Sequence, residues 1–268
     1  MTKNRIDLTF QRLRAEGKKG FIAYITGGDP DLERTLVIAR ALERAGVDLL
    51  EIGLPFSDPL ADGVANQLSA QRALEAGTTI PKLFATIRKF RDASGLPIVL
   101  YSYLNPVFNY GFERFHDDAK EAGIDGLLLL DLPPDEALRN DGLADSHGLK
   151  RIVLVAPTTP SERIAKLTAQ AAGFVYYVSR EGVTGEQKTV AASLSERVAL
   201  IRSTTDLPIA IGFGVSNAAQ AAEVARSGDA VVVGSAIVNR IHQFGGDPDL
   251  GAKIEAFVRQ LVEAVNGV

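Results

Sequence analysis

Short runs rich in Val, Ile, Leu and Tyr alternate along the chain with longer segments whose apolar residues recur at helical spacing, the pattern of βαβ units on a parallel sheet. Eight runs read as strands: residues 21–26, 48–54, 97–103, 126–131, 151–156, 174–179, 208–213 and 230–233. Each is nearly all apolar, as expected of a strand covered on both faces, and each gives way to a polar or Gly/Pro-containing segment. Residues 32–45, 80–91, 112–122, 135–147, 161–171, 190–203, 217–226 and 250–265 carry the i, i+3, i+4 spacing of amphipathic helices. Ahead of the first strand, Ile6, Phe10 and Leu13 recur at i, i+4, i+7, which predicts an extra helix lying across one end of the structure.

Eight units with short connections and no Pro/Gly/Ser linker predict an α/β fold: a single (β/α)8 TIM barrel over residues 1–268, with an open doubly wound sheet as the alternative. The length suits one such barrel. A composition of 46% hydrophobic and 23% charged residues excludes a disordered or collagenous chain. The net charge of -4 and the lack of a basic block leave no cationic surface for nucleic acid. With no cysteine, thiolate catalysis, disulfides and Cys-bound metals are closed. Residues 1–20 lack an apolar signal core, and no apolar stretch approaches a membrane span, so a cytoplasmic address without membrane attachment is expected.

In a barrel of this kind the chemistry sits on the loops after the strands. Glu51 interrupts the apolar second strand, and a carboxylate pointing into a barrel has its pKa pushed toward neutrality, which suits a general acid/base. The competing reading is a structural carboxylate paired with a buried Arg or backbone amides. Asp58 and Asp62 follow on a Pro- and Gly-bearing loop, where turn formation alone accounts for many aspartates. A second cluster spans the last strands: the segment 179–185, then Gly212, Gly214 and Ser216, then Gly234 and Ser235 opening a short helix through Arg240. Glycines admit close backbone approach and a helix N-terminus binds anions, so this cluster predicts a phosphate site; the plainer reading is turn formation. Tyr176 and Tyr177 must point to opposite faces, so one enters the barrel, as a core residue or as part of a site.

Absences narrow the reaction. His116, His147 and His242 fall in helical segments, so no metal site and no Ser/His/Asp triad is expected. Lys150 starts a strand and Lys188 lies beyond the strand-six loop, so no Schiff-base lysine is placed. Neither a dinucleotide fingerprint nor a P-loop is present.

The segment LEIGLPFSDPLADG, residues 50–63, closely resembles the signature of the tryptophan synthase alpha chain. The resemblance continues through residues 24–30, 103–107, 131–134, 179–185, 212–216 and 234–238. It implies retro-aldol cleavage of indole-3-glycerol phosphate to indole and glyceraldehyde 3-phosphate in tryptophan biosynthesis. It also implies Glu51 as the principal acid/base, Asp62 as the partner of the ring N–H, Tyr176 in the substrate pocket, and Gly185, Gly214, Gly234 and Ser235 as the phosphate cradle. No cofactor is implied in this chain. Pyridoxal phosphate belongs to the beta chain expected as its partner in an alpha2beta2 heterotetramer, with Asp58, Pro59 and Leu60 near the contact. One stretch departs from the pattern: Val64 stands where the family usually has Pro, and Asn66 where it has an apolar residue near the indole. A related phosphate-binding barrel that isomerises its substrate, and a non-catalytic descendant, remain as alternatives.

Overall fold

The strands form because their residues are apolar on both faces, and they close into a barrel because the chain returns to its starting strand. The computed structural model describes residues 3–133, 137–178 and 187–268, without the side chains of 138, 139 and 187–193. Its parallel strands are β1 (Gly20–Thr26), β2 (Leu49–Gly53), β3 (Ile98–Ser102), β4 (Gly126–Leu129), β5 (Lys150–Arg151), β6 (Val153–Val155), β7 (Val175–Val178), β8 (Ile209–Gly212) and β9 (Ala230–Val233). The order is β5-β4-β3-β2-β1-β9-β8-β7-β6.

The expected fifth strand is thus two segments separated by Ile152, and they are the two ends of the sheet. Ile152 N donates to Leu127 O at 2.9 Å and Arg151 O accepts from Ala172 N at 2.8 Å, so the single peptide unit between Arg151 and Ile152 joins both ends of the hydrogen-bonded sheet. The result is the predicted barrel with one strand broken; the open sheet is ruled out.

Strand alternation divides the core. Phe21, Ala23, Ile25, Leu50, Ile52, Leu100, Val175, Tyr177, Ile209 and Val231 face the surrounding helices. Ile22, Leu49, Val99, Leu128, Ile152, Phe174, Ala210, Ala230 and Val232 fill the interior. Helix α1 (Arg5–Glu16) plugs the N-terminal end with Ile6, Phe10 and Leu13, as the i, i+4, i+7 pattern predicts. Its start is fixed by a capping box in which the Asn4 and Asp7 side chains each take a backbone N–H. Lys150 pairs with Asp7 at 2.7 Å, placing that lysine on the stability face of the barrel.

Two helices beyond the sequence reading lie on the catalytic side: α2 (Val64–Glu75) after β2, and α3 (Leu104–Tyr110) after β3. The helix after β9, α4 (Ser235–Phe244), is longer than the expected 235–240. Among the described residues, no helix is long and apolar enough to cross a membrane.

Candidate active site

Glu51 lies on the inward face of β2, beside Tyr24 of β1 and Val99 of β3. It is 2% exposed, and neither carboxylate oxygen has a hydrogen-bond partner among the described residues. The structural-carboxylate reading required an Arg or amides here, and among the described residues none meets either oxygen. Burial first, and the negative charge of Asp62 second, raise the Glu51 carboxyl to about 8, so it carries its proton at neutral pH.

Asp62 is held quite differently. Tyr101 Oη donates to its Oδ1 and Tyr103 Oη to its Oδ2, both at 2.8 Å. Ala61 N donates to Tyr103 Oη at 3.0 Å, so the loop is tied to the end of β3 through its backbone as well. The departure noted at Asn66 has a consequence here: its Nδ2 lies 3.4 Å from Asp62 Oδ1, and its buried Oδ1 has no partner among the described residues. The site therefore holds a protonated carboxyl without partners among the described residues beside a second carboxyl group that accepts from two tyrosine hydroxyls.

Tyrosines line the mouth above Glu51. The rings of Tyr24 and Tyr101 meet edge to face, with centroids 5.2 Å apart. Burial and the nearby carboxylates push the hydroxyls of Tyr24, Tyr101 and Tyr176 upward, so each stays a neutral donor. Tyr176 faces the interior and Tyr177 the helices, which resolves which of the pair enters the barrel. Space for these rings comes from glycine: a Cβ on Gly53 would fall 2.3 Å from Tyr24 Oη, and one on Gly212 2.8 Å from the Tyr176 ring.

Of the expected phosphate cradle, Gly214 follows β8 with φ +63°, a left-handed conformation that favours glycine, and open space where a Cβ would sit. Gly234 and Ser235 join β9 directly to α4, where Ile237 N and Val238 N donate back to Gly234 O at 2.8 and 3.0 Å and the N–H groups of Ser235 and Ala236 come too early in the helix for an acceptor within it. Gly185 and the segment 179–186 lie outside the described residues.

The sequence reading gave no role to Tyr24, Tyr101 or Tyr103. A signal existed: Tyr101 and Tyr103 are two apart at the end of a strand, and residues so spaced share a face. Asp58 is exposed, its carboxylate accepting from Ser57 Oγ, and Leu60 is 88% exposed at the loop tip.

A family model described as tryptophan synthase alpha chain matches residues 10–266. The chain is 51% identical over 260 residues to the tryptophan synthase alpha chain of Opitutus terrae, covering 97% of this chain and 98% of that one. It is 48% identical over 262 residues to that of Geobacter sulfurreducens, covering 98% and 99%. The crystal structure of tryptophan synthase subunit alpha from Legionella pneumophila superposes with a TM-score of 0.92 at 36% identity, each chain covered in full. A Mycobacterium tuberculosis tryptophan synthase structure gives 0.89 at 33% identity over 99% of both chains. These matches answer the isomerase alternative: the chain belongs to the tryptophan synthase alpha-chain family, the lyases that cleave indole-3-glycerol phosphate.

Proposed function

We propose that this chain cleaves indole-3-glycerol phosphate by carboxylate acid/base catalysis, with Glu51 and Asp62 as the catalytic residues. The observation that carries the proposal is Glu51 itself, buried, without a partner among the described residues, and protonated at neutral pH. A retro-aldol cleavage needs an electron sink, which the aromatic indole lacks until its C3 is protonated. Glu51 delivers that proton, and the ring nitrogen acquires positive charge while keeping its N–H. Asp62 stabilises this cation, since a fixed carboxylate in a water-poor pocket acts strongly on developing charge. The Glu51 carboxylate then accepts the proton of the side-chain hydroxyl. As the C–O bond becomes a carbonyl, the carbon–carbon bond breaks and its electron pair restores the neutral indole. Glyceraldehyde 3-phosphate leaves, and Glu51 is again protonated.

In this reading Tyr176 lines the pocket, and Gly185, Gly214, Gly234 and Ser235 hold the substrate phosphate on backbone N–H groups. Residues 1–268 act as one barrel domain, cytoplasmic and without a cofactor of their own. The partner is a pyridoxal-phosphate-dependent beta chain in an alpha2beta2 assembly. Support for a docking face comes from the exposed apolar residues Leu60 (88%), Val64 (71%) and Phe108 (68%). A groove of about 420 Å³ is lined by Pro55, Phe56, Asn105 and Pro106 among others.

The test is indole release from indole-3-glycerol phosphate by Glu51→Gln, with and without the beta chain. Turnover should fall by ~10²–10⁴-fold. Turnover within a few-fold of the unsubstituted protein, with indole still the product, would remove Glu51 from the mechanism.

A further inference from the structure

Asp62 belongs to a loop, yet both of its oxygens are held from a strand. Tyr101 is within β3, paired with Gly53 of β2, and its carbonyl accepts from Leu54 N at 2.8 Å. Its ring is braced by the edge-to-face contact with Tyr24. The two tyrosines do different work. Tyr103 uses its hydroxyl twice, accepting from Ala61 N and donating to Asp62, so it fixes the loop backbone and would tie the loop down on its own. The Tyr101 hydroxyl, among the described residues, makes a single hydrogen bond, to Asp62 Oδ1. A second donor on the other oxygen adds little to loop attachment but removes a freedom that one donor leaves: rotation of the carboxylate about its Cβ–Cγ bond.

We infer that Tyr101 is a positioning residue for the lyase reaction, its hydroxyl fixing the plane of the Asp62 carboxylate so that a lone pair stays aimed at the ring N–H of the substrate. The inference rests on the role given to Asp62 above. It goes further by naming what holds that group, and it gives the polar Asn66 a place as a weaker, flanking donor on the same oxygen at 3.4 Å. Tyr101 transfers no proton and touches the reaction only through Asp62.

Tyr101→Phe keeps the ring and its contact with Tyr24 while deleting the donor. Hydrogen bonds to charged groups, converted to rate, predict a loss of about 10- to 100-fold in kcat, with KM changed less. A packing defect could also slow the enzyme, so the deciding measurement uses the ring N–H. The reverse condensation with glyceraldehyde 3-phosphate is run with indole and with 1-methylindole, which offers Asp62 no N–H. Tyr101→Phe should slow the reaction of indole and leave that of 1-methylindole within about twofold, because the group it positions has nothing to meet. The ratio of the two rates does not depend on how much protein is folded, so it decides even for a partly unfolded variant. Equal losses for both rings would overturn the inference.

A second arm separates this failure from that of Asp62. Adding Tyr101→Phe to Asp62→Asn should cost indole turnover nothing further; a full additional loss would overturn the inference while leaving Asp62 in place. If Asp62→Asn alone turned over like the unsubstituted protein, the role of Asp62 would fall first and the inference with it.

Discussion

Replacing Glu51 with glutamine should stabilise the protein while disabling it, and the stabilisation should grow with pH. The side chain is 2% exposed, and neither carboxylate oxygen has a partner among the described residues. Its carboxyl is raised from 4.5 to about 8 by burial and by the charge of Asp62. The sign follows from proton counting. Between these values the unfolded chain has lost the Glu51 proton and the folded chain keeps it, so raising the pH favours unfolding by about 1.4 kcal/mol per pH unit. Glutamine has nearly the same shape, is equally unpartnered, and does not titrate. The variant should thus exceed the unsubstituted protein by about 1 kcal/mol at pH 5, about 3 kcal/mol at pH 7, and about 4 kcal/mol at pH 8. Urea unfolding of both proteins across this range gives the difference directly, with the slope m as a check that the transition stays two-state. A difference that is flat with pH, or that shrinks as pH rises, would mean that Glu51 is ionised and paired in the folded protein, and would refute the acid role together with the stability argument.

Other consequences of the site can be measured separately. The kcat of the unsubstituted protein should fall on the alkaline side near pH 8, where Glu51 loses the proton it must deliver, and a profile flat to pH 10 would contradict this. Ser235→Asp should weaken substrate binding by setting a carboxylate against the phosphate, and binding that survives it would move the phosphate elsewhere. Gly212→Ala should raise KM several-fold by displacing the Tyr176 ring, with little change in melting temperature because a flexible side chain can yield; an unchanged KM would take Tyr176 out of the pocket. Linkage requires that glyceraldehyde 3-phosphate tighten beta-chain binding by the factor with which the beta chain tightens its own binding here, and titrations with and without it would expose an uncoupled pair.

The elements that could be read from the sequence are those built on apolar contrast. The strands and outer helices declare themselves because burial demands apolar residues at spacings of two or of three and four. Helix α2 does not, because what it buries is small: Ser69, Ala70 and Ala73. It is held by ion pairing and hydrogen bonding to the buried Asp29, which takes Ser69 Oγ at 2.5 Å and the Arg72 guanidinium at 2.8 and 2.6 Å. A polar lock of this kind has no hydrophobic period, and its partners are some forty positions apart in the chain. The break at Ile152 was hidden for another reason: continuous apolar sequence does not distinguish a straight strand from one that shares its hydrogen bonds between two neighbours.

The same alternation that fills the barrel also explains why the site stands where it does. Two positions beyond Ile22, Leu49, Val99 and Phe174, on the same inward face, come Tyr24, Glu51, Tyr101 and Tyr176. The interior thus changes from aliphatic to hydroxylated and ionisable toward the C-terminal mouth, without any change in strand geometry. Four inward positions, each set by the period of a strand, place a buried acid among neutral phenols, and the glycines at 53 and 212 leave the rings room. Glu51 stood out in the sequence because a single carboxylate in an apolar run is conspicuous. The hydroxyls that hold Asp62 did not, since tyrosine in a strand serves packing as readily as chemistry. Only the fold shows that Tyr101 and Tyr103 bring their hydroxyls to the same carboxylate.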